Sequence, residues 1–319
     1  MYDIAIMGNA PVDALVNTTE DVLLKHNLKK GDFQTREFED FIALNDDCMV
    51  EKFEAGGSTG NTAYAMGKLG SKVAFISRFG ADPSGKHFKA EMATADVTIN
   101  AGDDSVRTME VFVLITPDGE RTFVSPGVTA PVSASMVDKE TICNSKWLLV
   151  EGYMLFDQYE AVAKALKIAR ENGVKTALTL ASSAVLEVCY DAIATEIDNG
   201  LDLLVANDEE MNVLLKAAKE GGHEVLKGVE ATPRIITSSG DGATYTDSTQ
   251  ELSIPTAKID NPVDTTGAGD AFAAGFLHHY INDQNLTEGI KLGHNLAGSV
   301  IMRTGARVQD DMITRQKAG

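Results

Sequence analysis

The densest chemistry in this sequence lies in Asn261–Phe276, NPVDTTGAGDAFAAGF, where Thr265-Thr266-Gly267-Ala268-Gly269 runs into a helix expected to begin near Asp270 or Ala271. Successive backbone N–H groups in such a turn, with the positive end of a helix behind them, make a pocket for an anion such as phosphate. A carboxylate beside a phosphate is repulsive unless it has a task, such as accepting the proton of an attacking hydroxyl. That reading makes Asp270 a general base, and the competing one makes it a helix cap. Glycine on both sides of Ala268 favours chemistry, because a simple cap does not require it.

Other loops carry weaker signals of the same kind. Gly56-Gly57-Ser58-Thr59-Gly60-Asn61 opens a helix expected over Thr62–Leu69 and closed by Gly70. Its glycines permit close approach of backbone to a ligand, and Asn61 offers both a donor and an acceptor to a polyol. A plain strand-to-helix turn with Ser58 as N-cap explains it equally well. In Gly8–Asp13, Asn9 and Asp13 follow the first expected strand, where they would meet a ligand or simply form a turn. Asn207 and Glu210 open another helix, either complementing its dipole or holding Mg²⁺ through water with hard oxygens three residues apart. The loop Thr237–Ala243, with Thr237, Ser239, Gly240 and Gly242, is able to hold a phosphate or a base. Gly80–His87, GADPSGKH, imitates a P-loop but has His where Ser or Thr is needed, and Pro83 removes a donor. It reads as a turn followed by a helix. Gly267-Ala268-Gly269 likewise lacks the third glycine of a dinucleotide fingerprint.

These loops need a scaffold, and the sequence supplies a rhythm for one. Strands are expected at Asp3–Met7, Lys72–Ile76, Lys146–Val150, Lys175–Leu180, Asp202–Val205 and Arg234–Thr237. Helical patterns lie between them, such as Asp157–Asn172 with Tyr159, Val162, Ala163, Leu166 and Ala169 on one stripe and Gly173 as its stop. Such alternation predicts a mainly parallel sheet covered by helices on both faces. Two stretches break it. Asp13–Glu54 is charged and irregular, ending in the strand-like CMVEKFE. Val106–Val124 holds two β-prone runs around the turn Pro117-Asp118-Gly119. They form either a small β lid, from about residues 13–54 and 106–124, or an antiparallel edge of the main sheet. No linker divides the chain, so residues 1–319 are read as a single domain.

Composition excludes several classes. The 319 residues carry 28 Lys+Arg against 47 Asp+Glu, a net charge of −19, with 44% hydrophobic residues. Affinity for nucleic acid or an anionic membrane surface comes mostly from Lys and Arg, so no nucleic acid and no membrane is expected as a partner. A small phosphorylated ligand stays open, because backbone amides hold phosphate without net positive charge. Cys48, Cys143 and Cys189 are odd in number and dispersed, which indicates neither a disulfide framework nor a zinc site. No run approaches the ~18 apolar residues of a membrane span. A reducing, cytoplasmic compartment is the expectation.

Taken together and in order, these loops resemble the ribokinase-like (PfkB) carbohydrate kinase family from Gly8 to about Val308. DTTGAGDAF matches its closing motif, and FEAGGSTGNTAYAMGKLG is similar to its N-terminal signature. The resemblance implies a three-layer α/β/α fold with a mainly parallel central sheet and a small β-strand lid. It implies an ATP-dependent kinase with Mg²⁺, in which Asp270 deprotonates a substrate hydroxymethyl group and Gly267, Ala268 and Gly269 form the anion hole. Asp13, Gly57 and Asn61 fall on substrate-contacting positions, with Asn9 and Gly56 beside them. Asn207 and Glu210 match a magnesium motif, and Asn295 falls on a nucleotide contact. The spacing of GNAPVD and GGSTGN is most like the adenosine-kinase branch, in which Arg121 lies near a lid arginine or is merely solvated. Ser239 replaces the first glycine of the family's TxGxxG, and Met109 stands where a Thr-Gly pair is expected. Against these two departures, the branch-like spacing and Leu178-Thr179-Leu180-Ala181-Ser182, where the family's sugar kinases carry an Asp-x-Asn-x-Arg-like stretch, imply a nucleoside acceptor. The alternatives are a ribose, fructose or keto-deoxy-sugar kinase, and a non-catalytic nucleotide- or nucleoside-binding module. Monovalent-cation activation stays open, as does the choice between monomer and homodimer.

Overall fold

Side chains alternate along the first strand, and that alternation sets the architecture. In Tyr2–Met7, Ile4 and Ile6 enter one apolar cluster while Ala5 and Met7 enter another, as the two-residue period of a strand requires. Leu149 and its neighbours Leu148 and Val150 divide in the same way. A strand apolar on both faces must be covered on both.

The computed structural model describes residues 1–313 apart from 100, 101, 128, 222 and 311. Among the described residues, nine strands form the central sheet. Their order is Glu251–Ile254, Ala243–Thr246, Arg234–Thr237, Leu203–Asn207, Lys175–Thr179, Ser145–Glu151, Tyr2–Met7, Val73–Ile76, Thr98–Ile99. All neighbours are parallel except that Ala243–Thr246 pairs antiparallel with both Glu251–Ile254 and Arg234–Thr237. Helices Ser58–Leu69, Ala268–Asn282 and Leu286–Val300 pack on one face through residues such as Met66, Phe272 and Leu296. Helices Tyr159–Glu171, Ser183–Asp198 and Asp208–Gly221 cover the other through Leu166, Leu186 and Leu214. The protein is thus a three-layer α/β/α fold with a mainly parallel sheet. Where Ala268–Asn282 and Leu286–Val300 cross, backbone meets backbone: a Cβ on Gly275 would lie 2.5 Å from the Gly293 nitrogen.

The six expected strands are present, each within two residues of its anticipated bounds. Two helices start earlier than expected, at Ser58 rather than Thr62 and at Ala268 rather than Asp270 or Ala271. The P-loop imitation is a turn leading into helix Pro83–Ala93, capped by Asp82 and with Pro83 in its first turn.

Five further strands form a separate sheet in the order Phe33–Thr35, Arg121–Ser125, Glu110–Ile115, Val12–Asn17, Lys52–Ala55. They do not extend the edge of the central sheet. The charged stretch from Asp13 onward is less irregular than its composition suggests, since it contains helices Glu20–Lys25 and Phe38–Asp47. Leu23, Phe41 and Leu44 from these helices close a small core with Ala14, Val16, Phe112, Leu114 and Val124. Phe41 stacks on Phe112 at 4.6 Å between ring centroids. The chain passes between the sheets at Gly8–Pro11 and at Gly56-Gly57, and Gly57 takes φ +86° at the second passage. Among the described residues no helix is long and apolar enough to cross a membrane.

Phe112 is 2% exposed in that small core. Replacing it by Ala should cost about 3–5 kcal/mol in denaturant unfolding, the usual cost of emptying an aromatic site. A loss below about 1 kcal/mol would show that the small core contributes little to the folded state.

Candidate active site

The loops beyond the carboxyl ends of the parallel strands surround a cleft of about 1000 Å³. Its walls include Asn207, Glu210, Thr237, Ser239, Gly240 and Gly242 together with Ala268, Gly269, Asp270 and Ser58. Strand order decides this meeting, because the side-by-side strands Lys175–Thr179, Leu203–Asn207 and Arg234–Thr237 release their loops toward one end.

Asp270 does not cap its helix. The N-cap is Gly267, at φ +78°, and no side-chain cap bond forms there. The half-buried Asp270 carboxylate instead spans to the other glycine-rich helix, where Ser58 Oγ donates to Oδ1 at 2.6 Å and Asn61 Nδ2 donates to Oδ2 at 3.0 Å. Thr62 Oγ1 adds a bond to the Asp270 carbonyl at 3.2 Å. Burial pushes the Asp270 carboxyl up to about 6, against the pull of the Ser58 and Asn61 hydrogen bonds. Ser58 is therefore no N-cap; Gly57 holds that place. Asn61 Oδ1 is buried and has no hydrogen-bond partner among the described residues.

Asp13 pairs across strands with Glu54, and Gly56 lies so close that a Cβ there would be 2.6 Å from Asp13 Oδ2. Burial first, then repulsion by Glu54, raises the Asp13 carboxyl to about 7, with Arg307 and Arg121 acting in the opposite sense. Arg121 is not a solvated side chain. It reaches from the second sheet to Asp264, Nη2 to Oδ2 at 3.0 Å, with side chains only 13% and 7% exposed. Asp264 also accepts from the amides of Thr266 at 3.1 Å and Gly305 at 2.9 Å, so the small sheet is fastened to the loop that precedes Gly267.

Asn207 and Glu210 form a reciprocal capping box: the Asn207 amide and Nδ2 each donate to Glu210 at 3.0 Å, and the Glu210 amide donates to Asn207 Oδ1 at 2.8 Å. Burial raises the Glu210 carboxyl. Among the described residues no group of three or more His, Cys, Asp or Glu is gathered to hold a metal ion. Ser239 adopts φ +44°, a left-handed geometry that favours glycine, so the loop keeps the glycine conformation without the glycine. Asn295 is exposed and lines a neighbouring hollow of about 480 Å³. Asn9 is engaged: it accepts from Gln158 Nε2 at 2.9 Å and donates to Glu151 at 3.4 Å.

Several site residues escaped the sequence reading. Glu151 is 2% exposed and accepts from the Thr59 amide at 3.1 Å and the Thr59 hydroxyl at 2.5 Å. Its carboxyl is pushed up to about 7 by burial, less what those bonds recover. The signal was a lone acid closing the apolar strand Ser145–Glu151. His294 lines the cleft with Nε2 buried and unpartnered among the described residues, beside Phe272. Nothing in a single sequence separates it from its neighbour Asn295.

The whole chain has counterparts among known proteins. A model of the pfkB family of carbohydrate kinases matches residues 36–312. A ribokinase of Haemophilus influenzae is 27% identical over 82% of this chain and 85% of its own. Among solved structures, a probable sugar kinase from Rhizobium etli superposes with a TM-score of 0.86 at 26% identity, covering 99% of this chain and 98% of that one. An adenosine kinase from Sinorhizobium meliloti superposes with a TM-score of 0.85 at 26% identity, covering 100% and 99%. With the family model spanning most of its length, the chain belongs to the pfkB family of carbohydrate kinases and is an ATP-dependent phosphotransferase with an alcohol group as acceptor.

Proposed function

We propose that this protein phosphorylates a primary hydroxyl of a nucleoside, with Asp270 as the general base. The observation that carries the reading is the Asp270 carboxylate, released from any capping duty, half-buried and held by two neutral donors at the edge of the cleft. A carboxyl near pKa 6 is ionised at neutral pH and basic enough to take a proton from a hydroxyl as the O–P bond forms. The remaining work of phosphoryl transfer is positioning and charge stabilisation.

Gly267, Ala268 and Gly269 stand at a helix start whose first-turn amides no helix satisfies internally. The Ala268 amide already donates to the Thr265 carbonyl at 3.2 Å, so the amides that follow it are the better anion donors. A Cβ on Gly269 would meet nothing within 4 Å, which leaves room for phosphate oxygens. Thr237, Ser239, Gly240, Gly242 and His294 would border the nucleotide, with Asn295 at its outer rim. Glu210, with Asn207, would hold Mg²⁺ through its water ligands, since these hard oxygens line the cleft and Mg²⁺ usually keeps several waters. That ion would supply charge neutralisation on the phosphates.

For the acceptor, Asp13, Asn9, Gly56, Gly57 and Asn61, whose buried Oδ1 has no partner among the described residues, would receive the hydroxyl groups. The second sheet would act as a lid, with Arg121 as its connection to the phosphate loop. A nucleoside acceptor is supported by the likeness to the S. meliloti adenosine kinase. The likeness to a ribokinase and a sugar kinase supports the second reading, a sugar acceptor. The unpaired thiols Cys48, Cys143 and Cys189 fit a reducing cytoplasm.

Asp270→Asn should lower kcat by about 10²–10⁴ while ATP still binds. Turnover near that of the unaltered enzyme would remove Asp270 from the base role. Because the ionised carboxyl is the active form, kcat/KM for the acceptor should rise with pH through about 6. A panel of nucleosides and sugars with ATP and Mg²⁺, read by thermal shift and phosphate transfer, tests the acceptor class. Response to hexoses alone would overturn the nucleoside reading.

A further inference from the structure

We propose that Ser58 is a positioning residue for phosphoryl transfer, its hydroxyl orienting the Asp270 carboxylate and holding it in the proton-accepting form. This rests on the reading of Asp270 as the base. Ser58 is the first residue of its helix, yet its hydroxyl serves no cap, since that place belongs to Gly57 and carries no side-chain bond. The hydroxyl goes 212 residues along the chain instead, to Asp270 Oδ1 at 2.6 Å. Asn61, three residues on and therefore on the same helical face, takes Oδ2 at 3.0 Å. One helical turn thus grips both oxygens and sets the plane of the carboxylate. Ser58 itself lines the cleft, so this grip is applied where an acceptor hydroxyl must arrive.

The charges around Asp270 make the hydrogen bond matter. Glu151 at the end of its strand, Glu210 in the helix Asp208–Gly221 and Tyr153 after strand Ser145–Glu151 all share its electrostatic neighbourhood. The acids disfavour a further negative charge, as burial does. The donors acting on the carboxylate in the opposite sense are the neutral Ser58 and Asn61. Short donation to an ionised oxygen is the stronger kind of hydrogen bond, so losing Ser58 should raise the proton affinity of Asp270 and free its rotamer. A Ser58 that only filled space would leave the titration unmoved.

The test is the titration of Asp270 in the full-length protein by ¹³C NMR of labelled aspartate, with the resonance assigned by its loss in Asp270→Asn. Ser58→Ala should move the midpoint upward by about one pH unit, and Ser58→Thr, which keeps the hydroxyl, should return it to the original value. With adenosine or D-ribose and ATP·Mg²⁺, the acid limb of kcat/KM should follow the same order. If Ser58→Ala does not fold, Ser58→Cys keeps the volume with a weak donor and should show the same upward shift. An unmoved midpoint in the Ala or Cys variant, or a Thr variant that titrates like Ala, overturns the proposal. Full turnover in Asp270→Asn would instead overturn the base reading beneath it, so the two failures are distinct.

Discussion

The carboxylate of Asp270 lies between the starts of two helices, bonded to Ser58 and Asn61 on one while belonging to the other. Closing that gap requires both helices to lie on the same face of the central sheet with their amino ends together. The connections deliver this: Ser58–Leu69 enters from strand Lys52–Ala55 of the second sheet and leads into the central strand Val73–Ile76, while Ala268–Asn282 follows Glu251–Ile254 of the central sheet. It also requires the two chain segments, more than 200 residues apart, to be held in register by the Met66 and Phe272 core. Site and core are in this sense one construction: the packing that excludes water also sets the distance across which the carboxylate reaches.

That placement concentrates acid. Asp13, Glu151, Glu210 and Asp270 all have carboxyl groups raised by burial, in a protein whose net charge is already −19. Each is held by a different device. Glu151 takes three hydrogen bonds from Thr59 and Asn9, Glu210 takes two from Asn207, and Asp13 lies in the fields of Arg121 and Arg307. Arg307 is itself buried, lying over the Tyr64 ring at 4.4 Å and near Glu91 at 3.4 Å. Neutral donors leave a carboxylate its charge and arginine pairing offsets part of it, so these four acids are not neutralised to the same degree.

Much of the fold was legible because the central strands are apolar on both faces and the helices between them carry clear stripes and glycine stops, as in Tyr159–Glu171 before Gly173. The glycine-rich loops were legible for another reason, since clustered glycines before a helix exceed what a single cap needs. What stayed hidden depended on distant partners. Helix Phe38–Asp47 brings Phe41 and Leu44 to its core among acidic neighbours, a stripe the surrounding charge conceals. Ser58 fits an N-cap as well as a long-range donor, and only the fold shows that Asp270 stands opposite. Arg121 has an aspartate 143 positions away, which no local pattern records.

The contact between Gly275 and Gly293 has an evolutionary consequence. Backbone against backbone leaves no side chain there to trade, so the helix that bears Asp270 is pinned at a position drift cannot adjust. The second sheet, which carries Asp13 and Arg121, is built around its own core of apolar side chains. Substitution among those apolar residues can therefore proceed while the helix that bears Asp270 keeps its place, so the two sheets are free to diverge at different rates.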